Sequence, residues 1–394
     1  MSTGTKSVSI GEDFQSKVSQ DLVSQDSKPQ SVAGMLQVEK TSGENWDKHM
    51  RDFDGAAQEQ MYAFTKGRWP DVKCEPNLFY SQGNLVGGAM VMIQPLPLNI
   101  GKIAVVKWGP MLVDNTSPEA AKLYAKIVEM LIKEYADQRK MMLSILPKAV
   151  PSEKNDALEH LLQRGFKMGA QLGFPDRYIV NLRLSDEEIR KSFAQKWRYH
   201  LNRSIKQNLT FERAEPARFT EFDNLYQAMN ERKNFADHSA YNTITDLMEI
   251  EDKNLRPELF FVRKDGEMIA GGIIHKAGDT AVYLYGATND VALPLRAGYY
   301  LHWEIIRWLR DNTSAQWYDL GGTDGFQGLH QFKKGMVGTQ GHIEPVPPVM
   351  NYASHFGAKL TGNLAFFARD RLQLVRAYIE KIRTDLATPD QKLK

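Results

Sequence analysis

Apolar and polar positions follow the same order in two long stretches of the chain. The first stretch begins at residue 76 and reads "PNLFYSQGNLVGGAMVMI", and the second begins at residue 257 and reads "PELFFVRKDGEMIAGGIIHK". Each contains an apolar run, a short polar turn with glycine, and a second apolar run with adjacent glycines. This pattern predicts a β-hairpin in both places.

The similarity continues beyond the two hairpins. A third apolar strand, an amphipathic helix and a fourth strand follow each of them, and helical segments around 45–66 and 216–233 precede them. The helices "SPEAAKLYAKIVEMLIKEYA" and "RAGYYLHWEIIRWLRD" both repeat apolar residues with the helical period. We therefore predict an α/β (α+β) fold with two tandem domains from an internal duplication, each a mixed central sheet flanked by helices.

The predicted domain organisation has four parts. Residues 1–34, rich in Ser, Gln, Asp and Lys, form a flexible tail. Domain 1 spans 35–176 and is completed by the C-terminal segment 341–394, and domain 2 spans 177–340. The sequence of the C-terminal segment predicts a helix with interspersed arginines. This helix either docks on domain 1 or lies on the anionic inner leaflet of a membrane.

Composition limits the function classes. The 394 residues are 42% hydrophobic and 25% charged, with a net charge of +2, which is typical of a soluble globular protein and argues against a duplex-DNA binder. The longest apolar region is interrupted by Gln94, Pro95, Pro97 and Lys102, so we expect no transmembrane helix. A single cysteine and nine unclustered histidines predict neither disulfides nor a metal site.

A glycine-rich stretch, "WYDLGGTDGFQGLHQFKKGMVGTQG", ends the second repeat. It lacks the spacing of either common phosphate-binding loop. Aligned with "LEHLLQRGF" of the first repeat, it places Lys333 opposite Gln163 and Lys334 opposite Arg164. This predicts a helix closed by a left-handed Gly335, with a cation favouring its last turn. Because the first repeat has a glutamine there, the fold does not require Lys333, and both a functional and a structural role stay open.

A second basic cluster lies in "RKSFAQKWRYHLNRSIKQ", residues 190–207. Aromatic residues are interleaved with its cations. The pattern is typical of phosphate contacts combined with stacking on bases, and also of a solvated helix face. The candidate tRNA or phosphate contacts are Lys196, Arg198, Arg203 and Lys206.

Several motifs, taken in order, resemble one known family. "KWRYHLNRSIKQNLTFERA", "NERKNF", "YDLGG" and "FKKG" are similar to the Fem family, the aminoacyltransferases that build peptidoglycan interpeptide bridges. The resemblance covers about residues 45–350 and implies two GNAT-like domains. No sustained heptads occur between 208 and 257, so the chain resembles the compact members that lack a coiled-coil arm.

The resemblance implies a reaction and its partners. An amino acid would move from aminoacyl-tRNA to an amine of a peptidoglycan precursor, either lipid II or UDP-MurNAc-pentapeptide. No cofactor is implied, because the tRNA ester is already activated. We expect a cytoplasmic monomer that does not bind DNA and makes peripheral contact with the inner face of the membrane.

Residue roles are implied in the same way. Lys66 and Arg232 match a pair that grips the precursor diphosphate, and Phe332 and Lys333 match a pair at the reaction centre. Tyr283 and Tyr285 match pocket tyrosines. Their spacing of two in a strand predicts that both point to one face.

The chain departs from the family pattern at one position. Some relatives carry an aspartate, proposed as a base, at the end of the first domain's fourth strand, where this chain has Leu146. We therefore name no catalytic carboxylate. Two alternatives stay open: an acyl-CoA-dependent N-acyltransferase acting on a polysaccharide or small amine, and a precursor- or tRNA-binding protein without activity.

Overall fold

The computed structural model describes residues 36–96, 100–152, 154–233 and 240–368. The predicted tail at 1–34 and the C-terminal residues beyond 368 lie outside these ranges. Two mixed sheets organise the described chain, and we call the sequence that forms most of each sheet the first and the second unit.

The first unit has the predicted order of hairpin, third strand, helix and fourth strand. Its strands are β1 (Gln37–Lys40), β2 (Lys73–Ser81), β3 (Asn84–Pro95), β4 (Lys102–Lys107), β5 (Met111–Leu112), β6 (Met142–Leu146) and β7 (Lys167–Met168). Its helices are α1 (Gly43–His49), α2 (Tyr62–Arg68), α3 (Ala120–Leu131) and α4 (Asp156–Gln163). A π-helical stretch, Ile132–Gln138, continues α3, and Met50–Asp52 and Gln58–Gln60 are 3₁₀ turns.

The second unit repeats this order. Its strands are β8 (Asp176–Asn181), β9 (Thr210–Ala214), β10 (Glu258–Lys264), β11 (Glu267–His275), β12 (Thr280–Thr288), β13 (Trp317–Asp319) and β14 (His342–Pro345). Its helices are α5 (Asp186–Ser192), α6 (Gln195–Ile205), α7 (Phe219–Lys233), α8 (Ile244–Met248), α9 (Ala292–Leu295), α10 (Ala297–Asn312) and α11 (Gln327–Val337). Pro216–Arg218 and Tyr241–Thr243 are 3₁₀ turns. Strand β15 (Met350–Tyr352) follows, and a last helix, α12, covers 356–368.

The two sheets match strand by strand. The first has the order β1-β2-β3-β4-β6-β15-β7, with β5 beside β3, and the second has the order β9-β10-β11-β12-β13-β8-β14. In both, the third strand of the repeat pairs in parallel with the fourth, and the connecting helix is α3 or α10. The predicted fold class, with its tandem duplicated units, is confirmed.

One strand of the first sheet comes from the far end of the chain. Met350 of β15 pairs with Ile145 of β6 on one side and with Met168 of β7 on the other. In the second sheet, β8 occupies the equivalent place between β13 and β14. The first sheet is thus complete only with residues that follow the second unit. The domain boundaries given above stay a prediction.

Adjacent apolar residues in the hairpins are explained by burial of both sheet faces. Phe79 packs among the residues of α3, while its neighbour Leu78 points into a cluster that both units share. Phe260 and Phe261 do the same in the second unit, toward α10 and toward the shared cluster respectively. This shared cluster, which includes Trp46, packs the two units against each other.

Candidate active site

Lys333 lies in the middle of α11 and is buried, with 7% of its surface exposed. Its Nζ donates hydrogen bonds to the backbone oxygens of Leu320 and Gly322, at 2.6 and 2.5 Å. Both acceptors belong to the loop that follows β13, where Gly321 has a φ of +75°. The ammonium group therefore holds this loop against the helix, a task that the comparison with Gln163 does not predict.

The prediction that Gly335 closes this helix in a left-handed conformation is wrong. Helix α11 continues through Gly335 to Val337, and the positive φ, 64°, belongs to Gly338. A Cβ on Gly335 would lie 3.1 Å from the Trp197 side chain, so the glycine permits close packing of α6. In the first unit, by contrast, α4 ends at Gln163 and Gly165 has the left-handed φ of 98°.

The surroundings of Lys333 lower the pKa of its ammonium group. Burial, together with the positive charge of Arg177, lowers its pKa to about 8, while the carboxylates of Asp319 and Asp324 oppose the shift. The side chain is therefore mostly charged at neutral pH and titrates close to it. A fixed ammonium in a dry site is suited to stabilising negative charge that develops on a substrate.

Sequence comparison missed a salt bridge beside this lysine. The Arg177 guanidinium donates to both Asp319 oxygens, with Nε at 3.1 and 3.0 Å and an Nη at 2.8 Å. Asp319 also accepts from the Gly321 backbone N–H at 2.8 Å. The two residues are far apart in the chain, and only the Asp-Leu-Gly-Gly sequence at the end of β13 marks one of them. The pair fixes the loop whose carbonyls hold Lys333.

Phe332 belongs to an aromatic wall between α6, α10 and α11. Its ring centroid lies 4.9 Å from that of Tyr299, 5.5 Å from His302 and 6.1 Å from Trp197. Half-buried Phe332 thus forms an apolar boundary next to the buried ammonium. Such a boundary lowers the local dielectric, which strengthens the field of Lys333 on any group bound there.

Tyr283 and Tyr285 do not share a face of β12. Tyr285 pairs with Ile273 and Tyr283 with Ile274, so Leu284 is an extra residue in a β-bulge. Tyr283 consequently packs on the α10 side, 4.7 Å from the His302 ring, whereas Tyr285 joins the shared cluster between the units. The prediction of a common face is wrong because the bulge interrupts the alternation.

His302 links this wall to the sheet. It is buried, its Nδ1 lies 3.1 Å from the Tyr318 hydroxyl, and burial with the nearby Lys333 charge lowers its pKa to about 3. The imidazole is therefore neutral at physiological pH. It can take part in a hydrogen-bond network but carries no charge to compete with Lys333.

Comparison with known proteins agrees with this architecture. Residues 190–334 match the model of the acetyltransferase (GNAT) domain. The crystal structure of FemX superposes with a TM-score of 0.67 at 18% identity, covering 84% of this chain and 100% of FemX. The chain is Fem-like in fold. No protein of curated function matches the sequence.

The Fem-like fold also occurs in structures with other names. The C-terminal domain of a putative lysylphosphatidylglycerol synthetase from Agrobacterium fabrum gives a TM-score of 0.52 at 14% identity, covering 81% of this chain and 95% of that domain. L-PGS from Bacillus licheniformis gives 0.50 at 13% identity, covering 83% and 98%. These likenesses concern the fold.

Two residues suggested by the Fem resemblance, Lys66 and Arg232, lie on different elements. Lys66 is exposed in the last turn of α2, with its Nζ 5.9 Å from the Tyr62 ring. Arg232, near the end of α7, donates to Asp290 at 2.6 Å and to the backbone oxygen of Thr288 at 2.9 Å. Arg232 is thus already engaged, and a ligand would have to compete for it.

The basic cluster predicted around α6 divides into two groups. Lys196, Arg203 and Lys206 are exposed and lie near Tyr199, which is 61% exposed. Arg198 instead donates to the backbone oxygens of Lys191 and Phe193, at 2.7 and 2.6 Å, and so caps the end of α5. The prediction treats all four alike, but Arg198 has a structural role.

Leu146, at the end of β6, faces the boundary between the units. It pairs in register with Lys107 of β4, and its backbone oxygen accepts from the Trp108 N–H at 2.9 Å. The Arg177 guanidinium lies 5.7 Å from the Trp108 ring centroid. Lys107 and Trp108 therefore flank this strand end, and Arg177 lies beyond the Trp108 ring.

Within the described ranges, no group of three or more His, Cys, Asp or Glu residues could hold a metal ion. In the same part of the chain, no helix has the length and apolar character needed to cross a bilayer.

Proposed function

We propose that the protein transfers an amino acid from aminoacyl-tRNA to an amine of a peptidoglycan precursor. The observation that carries the proposal is the buried Lys333 ammonium, held by two backbone carbonyls on a fold that FemX shares. An ammonium in this position suits an acyl transfer that develops negative charge on a carbonyl oxygen. The precursor is either lipid II or UDP-MurNAc-pentapeptide.

The chemistry is aminolysis of an ester. The acceptor amine attacks the ester carbonyl, a C–N bond forms, and the C–O bond to the tRNA ribose breaks. The attacking nitrogen loses a proton and the ribose oxygen gains one. Lys333 stabilises the tetrahedral oxyanion between these events, and the wall containing Phe332 and Tyr299 excludes water.

The exposed face of α6 supports a nucleic-acid donor. Lys196, Arg203 and Lys206 would contact backbone phosphates, and Tyr199 offers a ring on which a base can stack. Trp197 on the opposite face of α6 packs near Phe332, so the helix connects this surface with Lys333. Since charged tRNA is made in the cytoplasm, we place the reaction there.

A second candidate is transfer from an acyl-CoA. The match to the GNAT domain favours it. Arg296 favours it too, because this residue has a left-handed backbone and is the N-cap of the 16-residue α10. Its buried Nε has no hydrogen-bond partner among the described residues. A helix start with a nearby guanidinium suits a phosphate group of either donor. The donor must therefore be identified by experiment.

The test offers the purified protein both donors in separate reactions. Radiolabelled aminoacyl-tRNA or acetyl-CoA is combined with lipid II, with UDP-MurNAc-pentapeptide or with no acceptor, and the products are identified by mass spectrometry. We expect transfer from tRNA only, to a precursor amine. Transfer from acetyl-CoA alone would replace the proposal with the second candidate, and precursor binding without transfer from either donor would indicate a binding protein.

The role of Lys333 is tested with a matched pair of variants. Lys333→Gln introduces the residue that the first unit has at the equivalent position, and it should lower turnover about 100-fold because oxyanion stabilisation is lost. Lys334→Gln, which changes the exposed neighbouring lysine, should leave turnover within about threefold. Equal rates for the two variants, at equal melting temperature, would remove Lys333 from the mechanism.

A further inference from the structure

His330 is a titratable side chain that the proposed mechanism does not use. It is the fourth residue of α11 and is partly buried. Its Nδ1 lies 2.5 Å from the hydroxyl oxygen of Tyr178, and the two rings meet edge to face with their centroids 5.7 Å apart. Tyr178 belongs to β8 and is only 1% exposed. A buried phenol therefore fixes the orientation of the imidazole.

His330 and Lys333 are attached to the same part of the second sheet. The Lys333 Nζ donates to the backbone oxygen of Leu320 at 2.6 Å, and the Leu320 N–H donates to the backbone oxygen of Tyr178 at 2.8 Å. The two side chains are three positions apart in α11, a spacing that places Cβ atoms about 5–6 Å apart on one face of a helix. The imidazole is thus a neighbour of the ammonium proposed to stabilise the oxyanion.

The other ring nitrogen of His330 is not engaged. In the described part of the chain, Nε2 makes no hydrogen bond and the imidazole belongs to no salt bridge. When Nδ1 carries the ring proton and donates it to the Tyr178 oxygen, Nε2 keeps a lone pair that can accept a proton. An imidazole that is oriented through one nitrogen and free at the other has the arrangement of a general base.

Few charged groups lie close to this imidazole. Among the described residues, Tyr178 is the one titratable side chain of another element that meets it through a hydrogen bond or a ring contact. On α11 itself, the buried Lys333 and the exposed Lys334 follow at three and four positions, and the exposed Asp324 lies in the loop before the helix. Because no carboxylate of the described ranges is ion-paired with His330, a proton taken up at Nε2 has no fixed counter-charge and can be passed on.

We propose that His330 is the proton acceptor of the reaction. As the acceptor amine attacks the ester carbonyl and the C–N bond forms, the proton of the nitrogen passes to Nε2. When the C–O bond breaks, the imidazolium gives this proton to the ribose oxygen and becomes neutral again. Tyr178 is a positioning residue that holds Nδ1, and His330 supplies the base that the apolar Leu146 cannot supply. The assignment rests on the proposed acyl transfer at Lys333.

The test uses three variants of the full-length protein. His330→Ala removes the imidazole and places a strong helix former in α11. His330→Asn removes Nε2 but has an amide near the position of Nδ1, so it can keep the hydrogen bond to Tyr178. Gln327→Ala, at an exposed position one turn earlier on α11, is the control. Turnover is measured with the donor and precursor that the wild type uses, and melting temperatures verify that each variant is folded.

We expect turnover to fall about 100-fold in both His330 variants and to stay within about threefold in Gln327→Ala. Added imidazole should restore turnover to His330→Ala. Among methylated imidazoles, compared at equal concentrations of the unprotonated form, the restored rate should rise with the basicity of the added base, because general base catalysis follows Brønsted behaviour. The rates of the wild type and of Gln327→Ala should not respond.

Two results overturn the role of His330 while the proposed function stands. One is wild-type turnover by His330→Asn, which would reduce the residue to a link with Tyr178. The other is absence of rescue in His330→Ala, or rescue that does not depend on basicity, since a small molecule that only fills the space of the imidazole restores packing regardless of its basicity.

The two donors separate failure of this role from failure of the proposed function. If only acetyl-CoA donates and rescue follows basicity, transfer from tRNA fails and His330 keeps its role, because an amine that attacks a thioester releases the same proton. If neither donor supports transfer to a precursor, the proposed function fails and the role of His330 fails with it.

Discussion

The site depends first on individual side chains that perform two tasks at once. Lys333 supplies the charge proposed for the reaction and also ties the loop after β13 to α11 through Leu320 and Gly322. Burying a cation opposes folding, whereas its two hydrogen bonds favour folding. A substitution therefore changes stability through both effects, and pH separates them.

We predict that the stability of the wild type rises with pH relative to Lys333→Met. The folded pKa is about 8, below the roughly 10.4 of an unfolded lysine, so between these values only the unfolded state keeps the proton. Folding is then favoured as pH rises, by about 2 to 3 kcal/mol from pH 8 to pH 10. Urea unfolding at both pH values measures the difference.

The control for this comparison is Lys334→Met, because Lys334 is exposed. Its stability should follow that of the wild type across the same pH range. Parallel curves for the wild type and Lys333→Met would show that the buried lysine does not lose its proton near pH 8.

Among the secondary-structure elements, β12 has the largest influence on the site. The bulge at Leu284 sends Tyr283 toward His302 and Tyr285 toward the cluster between the units. In a strand without the bulge, the side chains of residues 283 and 285 would point to the same face of the sheet. Gly286 completes the arrangement, since a Cβ there would lie 1.4 Å from the Tyr283 hydroxyl.

Gly286→Ala should therefore destabilise the protein by about 1 to 3 kcal/mol, because the Tyr283 ring must leave its position. Gly298→Ala provides the contrast within α10, where a Cβ would meet nothing within 4 Å. That variant should gain about 0.5 to 1 kcal/mol through helix propensity. Thermal unfolding compares the two, and a stabilised Gly286→Ala would contradict the packing described for Tyr283.

Helix α12 has apolar residues on two faces. Ala365 and Phe366 pack with Leu96, Ile103 and Met142 of the first unit. The opposite face presents residues that are all exposed by half or more: Phe356 (79%), Leu360 (50%), Leu364 (52%) and Phe367 (58%). Together with the exposed Lys102 and Lys359, this face supports the proposed contact with an anionic membrane surface.

Leu360→Glu should reduce binding to vesicles that contain phosphatidylglycerol, because it places a negative charge at the lipid interface. Flotation of the protein with such vesicles measures binding. Val38→Glu, at a site that is 47% exposed on β1, is the control and should bind like the wild type. Equal flotation of both variants would assign the apolar face of α12 to another partner.

At the scale of the whole molecule, the interface between the units contains a buried histidine. His275 of β11 has no exposed surface, and neither ring nitrogen has a hydrogen-bond partner among the described residues. Burial, with a contribution from Lys148 of the first unit, lowers its pKa to about 4. The imidazole therefore has to stay neutral for the units to remain packed.

Acid should consequently destabilise the wild type more than His275→Phe. Between the unfolded pKa of about 6.5 and the folded value of about 4, only the unfolded state binds the proton, so stability falls as pH falls. Relative to the variant, the wild type should lose about 2 kcal/mol between pH 7 and pH 5. Chemical unfolding at the two pH values tests this, and an equal loss for both proteins would exclude His275 as a cause.

The duplicated fold could be predicted because local sequence patterns carry it. Hairpins, helices and their order depend on nearby apolar positions, and both units repeat them. The bulge at Leu284 and the extended end of α11 could not be predicted in this way, because packing of Tyr283 and Trp197 decides them. The partnership of Arg177 with Asp319 likewise depends on strands that meet only in the folded sheet.

The placement of β15 has a consequence for how the protein is made in a cell. Protein synthesis releases the first unit from the ribosome well before Met350–Tyr352, which fill the place between β6 and β7. Until then those two strands have unpaired edges. A premature stop codon anywhere in the second unit would therefore leave two incomplete sheets instead of one intact unit, and we expect such fragments to be recognised and degraded.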